Sequence, residues 1–482
     1  MTDKIQWCRL DSIEVTDNES GQLKQVNFQY VNGKEERLLL GGVSMGGQLD
    51  CREEAYKFGY HFPTYLPRYL TMRTDHWGYY NETASIQHNS EEDRKPNPAV
   101  LGYGTLNEIV YPTGGRTVFE FEAHRYGRQV PLYHGTPCEK TTENVAGGLR
   151  IKKMTHYPDN GQSPIVKEYL YVQGYQPGKT SSLSCSGILE GRPLYSAVYN
   201  LVSGSNVILA RTSSNSLTPC ANASGIHIGY SEVVERSGDG SYAITTFTNA
   251  DEAEYADQYA DLVLASDPLL PFSSRAHYRG KLKLKQECDS DGHLLREENV
   301  AYAPLNDEQK FVRSICASAQ SYTGYDLSLS LACYKQYTYS LLPSRRSVKT
   351  YDATNDTVPM CVETTYAYND EGQLKEERTQ TQTGNETDRT KTPYGYEWEK
   401  NGAFKQKYLL APFSEVSSLK NGEDNGSVLI AYGLADGNAP FVKQVSERQA
   451  GGDVVRTLYQ CTDWDGKGNP IRELRNGLGT VY

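Results

Sequence analysis

Several things are missing from this sequence of 482 residues. It has no basic stripe to set against its formal net charge of −11, from 49 Lys+Arg and 60 Asp+Glu, which argues against nucleic acids and anionic membrane surfaces as partners. It has no long hydrophobic run. The longest charge-free stretch, Pro193 to Ala210, is broken by Ser196, Asn200, Ser203, Ser205 and Asn206, whereas a membrane-spanning helix needs about 20 mostly apolar residues. Its 10 cysteines, at 8, 51, 138, 185, 220, 288, 316, 333, 361 and 461, include no close pair with the spacing of zinc ribbons. No metal site or cofactor is expected, and the cysteines read as small buried hydrophobes. The opening Met1-Thr-Asp-Lys-Ile-Gln-Trp7 has no basic start followed by an apolar stretch, so no secretion signal is expected in this chain.

Phe and Trp are also few, 11 and 4, but there are 37 Tyr, with 43 Gly and 21 Pro. Aromatic residues suit a half-buried pleated surface, and Gly and Pro suit turns, so the composition points to many short strands and away from a helical bundle. Hydrophobic residues at 38%, charged residues at 23% and a mean hydropathy of −0.63 are ordinary for a folded soluble chain.

Period-two alternation is the commonest pattern. Thr117-Val-Phe-Glu-Phe-Glu122 sets Val118, Glu120 and Glu122 on one face and Thr117, Phe119 and Phe121 on the other; Tyr337-Thr-Tyr339 and Thr364-Thr-Tyr-Ala-Tyr368 alternate likewise. Between such segments lie Asn32-Gly33, Asn160-Gly161, Asp239-Gly240, Asp291-Gly292, Asn401-Gly402, Asn421-Gly422, Asp465-Gly466 and Asn476-Gly477, all suited to tight hairpins. One helix is expected near 250–263, capped by Asn249, with Ala253, Ala256, Ala260 and Val263 at helical spacing behind early acids. Asn89 to Pro98 and Lys375 to Thr392 read as polar loops and domain-boundary candidates. The expected regions are 1–98, a β-hairpin region; 99–265, a central antiparallel region with the helix; and 266–482, a hairpin-repeat region.

A weak repeat carries that last assignment. Cys288-Asp-Ser-Asp-Gly-His-Leu-Leu-Arg-Glu297, Tyr368-Asn-Asp-Glu-Gly-Gln-Leu-Lys-Glu-Glu377 and Trp464-Asp-Gly-Lys-Gly-Asn-Pro-Ile-Arg-Glu473 share an aromatic or Cys, then Asp or Asn, two residues and Gly. Tyr157-Pro-Asp-Asn-Gly161 is a cruder copy. Each reads as a hairpin whose Asp and Gly turn the chain, and such units bury a face only by stacking.

This pattern resembles the YD repeat of the RHS family of bacterial surface and toxin-delivery proteins. It most resembles the long RHS-like surface proteins of Bacteroides-type bacteria. Asp75-His-Trp-Gly-Tyr-Tyr-Asn81, Leu106 to Glu122 around Tyr111-Pro-Thr-Gly-Gly115, Gly147-Gly-Leu-Arg-Ile151, Ile226 to Glu235 and Gly468 to Gly477 carry the resemblance. It implies an all-β fold of stacked antiparallel hairpins, a β-shell or partial shell with room for a β-sandwich part. Pro112, Thr113, Gly114, Gly115, Gly292, Gly372 and Gly468 are then structural turn residues. The chain reads as a segment of a longer secreted or cell-surface polypeptide, with the remainder of that polypeptide or a surface partner as its partner; taken as complete, it would be cytoplasmic.

Motifs that could carry chemistry have a plainer reading beside them. Gly42-Val-Ser-Met-Gly46 has the G-x-S-x-G form of a hydrolase nucleophile elbow at Ser44, but too little chain precedes it to build a hydrolase sheet, and a Gly-rich strand connection is expected. Asp289-Ser-Asp-Gly292 and Asp463-Trp-Asp-Gly466 lack the donors of a calcium loop and read as turns. Glu120 and Glu122 read as a solvated strand face rather than a glycosidase pair. His76 reads as a packing residue rather than a general base. Trp77, Tyr79 and Tyr80 form the densest aromatic cluster; they either staple hairpins together or offer a glycan a stacking surface. The expectation is a non-catalytic scaffold or interaction segment, with a glycan-binding module as the alternative and a Ser44 hydrolase below it.

Overall fold

The computed structural model describes residues 8–16, 22–31, 37–47, 50–83, 91–132, 138–159, 161–178, 183–200, 208–263, 269–305, 310–321, 327–339, 341–352, 355–384, 386–435, 440–453 and 455–481. The predicted turn at Asn32-Gly33, the first residue of Asn160-Gly161, the start of the 89–98 loop and residues 201–207 of the charge-free stretch lie outside them. The fold is all β, as the alternation and turn residues predict, with strands joined mainly as antiparallel hairpins. The chain divides into two compact units.

The first unit comprises Met1–Lys281, Cys288–Gly292 and Arg313–Gln336. It opens as an antiparallel meander: Ser12–Thr16, Gln22–Tyr30, Leu40–Gly47, Asp50–Tyr60, Leu106–Val110, Arg116–Gln129, Glu139–Tyr157 and Ile165–Leu170 pair in chain order. Glu232–Ser237 then adds beside Ile165–Leu170 and pairs with Tyr242–Phe247. A short parallel pairing of Gly187–Leu189 with Arg128 and Gln129 crosses this order. Only glycine fits at its start, since a Cβ on Gly187 would lie 2.1 Å from the Arg125 carbonyl oxygen. Around the crossing, Val130, Ile188 and Ala250 form one core cluster, and Ala146, Leu189 and Ile228 form another, closed by Trp77, Tyr126 and Tyr230.

The second unit comprises Leu282–Glu287, His293–Val312 and Tyr337–Tyr482. Leu294–Pro304 pairs with Leu341–Asp352, and from there Asn355–Tyr368, Leu374–Thr383, Glu386–Tyr396, Phe413–Lys420, Glu423–Leu434, Pro440–Arg448, Val455–Trp464, Pro470–Arg475 and Leu478–Val481 follow, each antiparallel to the one before. Phe404 is fully buried against Tyr432, and Phe441 packs with Ala435, Cys461 and Trp464.

Three expectations are corrected here. Residues 250–256 form successive turns and no helix. Asn249 Oδ1 accepts from the next amide, Ala250, and the bonds Glu252 N–H to Asn249 O and Tyr255 N–H to Glu252 O have three-residue spacing. Beyond them Asp257 is held by Arg275 and Arg279, and Gln258 bridges to Ser273, so tertiary partners displace the helix that local propensity favoured. The polar stretch 375–392 is not a loop: Leu374–Thr383 and Glu386–Tyr396 form a hairpin with pairing from Glu376↔Pro393 to Thr383↔Glu386. Its threonines supply β propensity, and Lys391 pairs with Glu376 across the strands at 2.8 Å, so a ladder forms with little apolar content. Asn401-Gly402 is likewise no hairpin turn, because the Asn401 side chain caps the short helix Gly402–Gln406.

Two small devices recur along the hairpins. The first is a five-residue turn in which the first N–H donates to the fifth carbonyl and the fourth N–H, on a glycine with positive φ, donates back to the first carbonyl. It starts at Asp75, Tyr111, Asn222, Ser237, Asn369 and Asp465, with Gly78, Gly114, Gly225, Gly240, Gly372 and Gly468 at left-handed φ values of 91°, 93°, 81°, 92°, 81° and 87°. The glycine is required because a Cβ is strained in the left-handed region. At Asp75, Asn222, Asn369 and Asp465 the Asx side chain also accepts from the third and fifth amides of the turn. Gly292, at φ 90°, donates to the Asp289 carbonyl in the same sense.

The second device is a tyrosine hydroxyl that reaches back 20 to 25 residues to a main-chain carbonyl: Tyr30 to Leu10, Tyr60 to Leu40, Tyr171 to Ile151, Tyr368 to Pro343 and Tyr396 to Leu374. In each case the tyrosine ends or directly follows a strand and bonds to the strand before it, or for Tyr30 to a residue just ahead of that strand, beyond the paired stretch on the side away from their connecting turn or at its edge.

Candidate functional site

The sequence-marked aromatic cluster is built on one of the five-residue turns. Asp75 N–H donates to the Tyr79 carbonyl at 2.7 Å, and Gly78 N–H donates to the Asp75 carbonyl at 3.2 Å. Asp75 Oδ1 accepts from Trp77 N and Tyr79 N, both at 2.9 Å. The other Asx turns of this kind lie nearer the surface, but Asp75 is only 1% exposed. Burial pushes its carboxyl up to about 6 although the turn amides pull the other way. Its Oδ2 has no hydrogen-bond partner among the described residues and lies against Gly147, where a Cβ would come within 2.1 Å of it.

The turn presents its rings to a histidine. Trp77 lies 5.6 Å and Tyr79 6.0 Å from His227, centroid to centroid, and His227 Nε2 is 2.9 Å from the Gly147 carbonyl. Trp77 is half-buried and its indole N–H donates to the Cys220 carbonyl at 3.0 Å, whereas Tyr79 is 41% exposed. Tyr80 stands apart from them, bridging to Thr74 at the neck of the turn. His76 Nδ1 lies 2.9 Å from the Tyr195 hydroxyl; burial, aided by Arg94 and Lys95, holds this imidazole down to about 4 and so neutral.

Sequence reasoning missed the partners of this cluster. His124 packs edge-on against His227 and bonds the Tyr230 hydroxyl at 2.7 Å, and burial, with His227 and Arg150 nearby, lowers it to about 4. Arg150 lies over Tyr171 at 4.2 Å and Tyr230 at 5.3 Å and pairs with Glu122 at 2.7 Å. The signal lay in the alternation of Ile226-His-Ile-Gly-Tyr230, which sets His227 and Gly229 on one face and Ile228 on the other.

The remaining candidates sit as follows. Ser44 is 4% exposed in the middle of Leu40–Gly47, paired with Asn27 on one side and Ala55 on the other, without the strand-to-helix elbow of a G-x-S-x-G nucleophile. A register shift between Glu120 and Phe121 separates the two strand-face glutamates, and each meets a cation of the next strand, Lys153 for Glu120 and Arg150 for Glu122. Asp289 and Asp465 turn a carboxylate oxygen onto amides of their own turns. Pro112, Thr113, Gly114 and Gly115 make the turn from Leu106–Val110 into Arg116–Gln129.

A second constellation had no mark in the sequence. Arg279, Glu190 and Asp257 have side chains 3%, 1% and 3% exposed; Arg279 Nη1 pairs with Glu190 Oε2, and Arg279 Nη2 lies 2.8 Å from Asp257 Oδ1. Asn222 Nδ2 donates to Glu190 Oε2 at 3.3 Å, and Arg275 N–H donates to Asp257 Oδ1 at 2.8 Å. Burial raises the Glu190 carboxyl above the usual carboxylate range in spite of Arg279. Glu190 and Asp257 are among the residues lining a cavity of about 340 Å³, half of whose other lining residues are leucine, proline and phenylalanine.

No protein-family model matches the chain, and no curated protein matches it. Among solved structures it is similar to a chain of the crystal structure of TcdB2-TccC3 without its hypervariable C-terminal region, with a TM-score of 0.37 and 8% identity over 77% of this chain and 21% of that one. A crystal structure of TcdB2-TccC3 aligns with a TM-score of 0.15 and 9% identity over 98% of this chain and 31% of that one. The chain thus spans between a fifth and a third of the length of these chains.

Proposed function

We infer that the protein is a non-catalytic β-scaffold segment of a larger RHS-like polypeptide at the cell surface or in the medium. Its stacked hairpins form a wall, and its exposed turns and loops make the contacts. The observation that carries this reading is the recurrence of two devices along the hairpins: turns fixed by a left-handed glycine, several with an Asx side chain, and tyrosine hydroxyls that tie one strand to a main-chain carbonyl of the strand before it, the two adjoining at Tyr368 and Asn369. Such hairpins are repeated structural units whose strength comes from stacking on neighbours, and their function is to hold a surface in place.

An antibody against this chain, used on fractionated cells of the source organism, tests the reading. A band well above 53.9 kDa in the envelope or medium is expected. A band near 53.9 kDa in the cytoplasm overturns it. Labelling of Ser44 by a fluorophosphonate probe would overturn the non-catalytic part.

A further inference from the structure

A surface segment of the first unit, His61 to Arg73, has a backbone and an exposure that a scaffold role does not require. Its apolar side chains stand outward: Phe62, Tyr65 and Met72 are more than half exposed, and Leu70 is 94% exposed. Phe62 and Leu70 also hold left-handed φ values of 44° and 61°, a costly conformation for bulky residues. At Leu70 almost no contact within the chain offsets that strain.

The segment is firmly held. His61 N–H donates to the Thr105 carbonyl at 2.9 Å, and Gly104 N–H donates to the His61 carbonyl at 2.7 Å. Leu66 packs on Gly104, where a Cβ would lie 2.3 Å from its Cδ1. Arg37 Nε donates to the Pro67 carbonyl at 2.9 Å, and Leu38 N–H donates to the Tyr69 hydroxyl at 2.8 Å. The rings of Phe62, Tyr65 and Tyr103 pack together with centroids 5.5 to 6.0 Å apart. The exposed apolar groups are thus presented on a fixed frame.

Charge separates the possible occupants. The chain carries a net −11, yet the twenty residues from Ala55 to Thr74 contain no Asp or Glu. Arg68 and Arg73 are exposed, and neither guanidinium has a hydrogen-bond or ion-pair partner among the described residues. Charges more than about 8 Å away are largely screened at physiological salt, so these local cations, and not the net charge, set the field that an approaching surface meets. Protein partners gain most from anchors seated in packed pockets. Leu70 instead protrudes alone, and a bilayer accepts separate protruding side chains without a complementary shape. Tyrosine rings suit the headgroup level, and arginine suits lipid phosphates.

We propose that this segment docks the protein on a bilayer surface bearing anionic phospholipid, with Phe62, Leu70 and Met72 entering the acyl boundary, the Tyr65 ring at the headgroups, and Arg68 and Arg73 against lipid phosphates. The contact is peripheral and reversible, since it joins a small apolar area to a few charges.

Co-sedimentation of the full chain with vesicles tests this, using phosphatidylcholine mixed with phosphatidylglycerol in a three-to-one ratio and phosphatidylcholine alone, at physiological ionic strength. The mixed vesicles are expected to bind about fivefold or more tightly than the neutral ones, with the difference shrinking as salt rises. Leu70→Asn is expected to keep or raise the melting temperature, because asparagine tolerates the left-handed backbone, and to weaken vesicle binding about tenfold. Arg68→Gln combined with Arg73→Gln is expected to weaken binding to the mixed vesicles about tenfold and to leave binding to the neutral ones unchanged. Leu478→Asn, at a residue 78% exposed outside the segment, is expected to change neither. No sedimentation with either vesicle, equal sedimentation with both, undiminished binding by folded Leu70→Asn, or an equal loss in Leu478→Asn would each overturn the proposal. Self-association of the parent that Leu70→Asn abolishes, without vesicle binding, would assign the patch to a second copy and overturn it as well. Should Leu70→Asn fail to fold, the two vesicle compositions and the arginine pair still decide it.

Discussion

The hydroxyl of Tyr396 donates to the carbonyl oxygen of Leu374 at 3.0 Å, and Tyr396 is itself only 3% exposed. Leu374 begins one strand of a hairpin and Tyr396 ends the other, so the bond closes the hairpin at its open end. Phenylalanine would fill the same volume and leave the carbonyl one partner poorer. That difference accounts for part of the excess of Tyr over Phe.

Tyr396→Phe and Tyr368→Phe are therefore each expected to cost about 1 kcal/mol, the net worth of one intramolecular hydrogen bond. Urea unfolding followed by circular dichroism should show a lower midpoint with an unchanged slope. Phenylalanine variants as stable as the parent would show the hydroxyls to be incidental.

The turn glycines separate by conformation. Gly468 has φ of 87° and packs near Phe441, whereas Gly466, two residues earlier in the same turn, is outside the left-handed region. Gly468→Ala should cost about 1–2 kcal/mol from left-handed strain. Gly466→Ala should be neutral or stabilise by up to about 1 kcal/mol through the unfolded chain. Equal effects at the two positions would refute the turn assignment.

Mild acid should weaken the first unit. His76, His124 and His277 are each held down to about 4, by burial first, so the unfolded chain takes up protons near 6.5 that the folded chain refuses. Their contribution is fully present above 6.5 and is lost as pH falls towards 4. Asp75, raised to about 6 by burial, and Glu190, also raised by burial, act in the opposite sense, since their folded forms bind a proton more readily than the unfolded chain. Three groups outweigh two. The urea midpoint should fall between pH 7 and pH 5, above the range where ordinary carboxylates titrate, and a midpoint that rises over that interval would contradict the balance.

Arg279 holds two buried carboxylates. Arg279→Met should destabilise by about 3–5 kcal/mol, because it leaves charges buried without a partner. Adding Glu190→Gln and Asp257→Asn to that variant should recover part of the loss. A single variant that melts with the parent would mean that water already compensates the pair.

The hairpins were legible in the sequence because their signals are local. Asn421-Gly422 and Asn476-Gly477 adopt φ of 52° and 90°, and 50° and 83°, in two-residue turns between Lys420 and Glu423 and between Arg475 and Leu478. The Tyr-Asx repeat also gains a physical meaning: Tyr368 ties the hairpin behind it while Asn369 turns the chain ahead. What failed was set by distant residues. Alanines at helical spacing misled at 250–263, where Ala250 and Ala256 are buried in turns fixed by Asn249 and by Asp257 with Arg279. The 375–392 hairpin carries no apolar period, and only its alternating threonines hinted at a strand. Of the candidate site, the Asp75 turn was marked by its own residues. His227, Arg150 and the Glu190–Arg279–Asp257 cluster come together across separations that no local pattern encodes.

Side chains alternate between the two faces of a strand, so a hairpin misaligned by one residue would carry its terminal tyrosine to the wrong face. The hydroxyl of Tyr60, for one, would then have no route to Leu40. Each tie thus acts as a proofreading step, closing only when the strands have found their native alignment. In a polar ladder such as 374–396, where few apolar residues distinguish one alignment from the next, that check falls largely to a single phenolic proton.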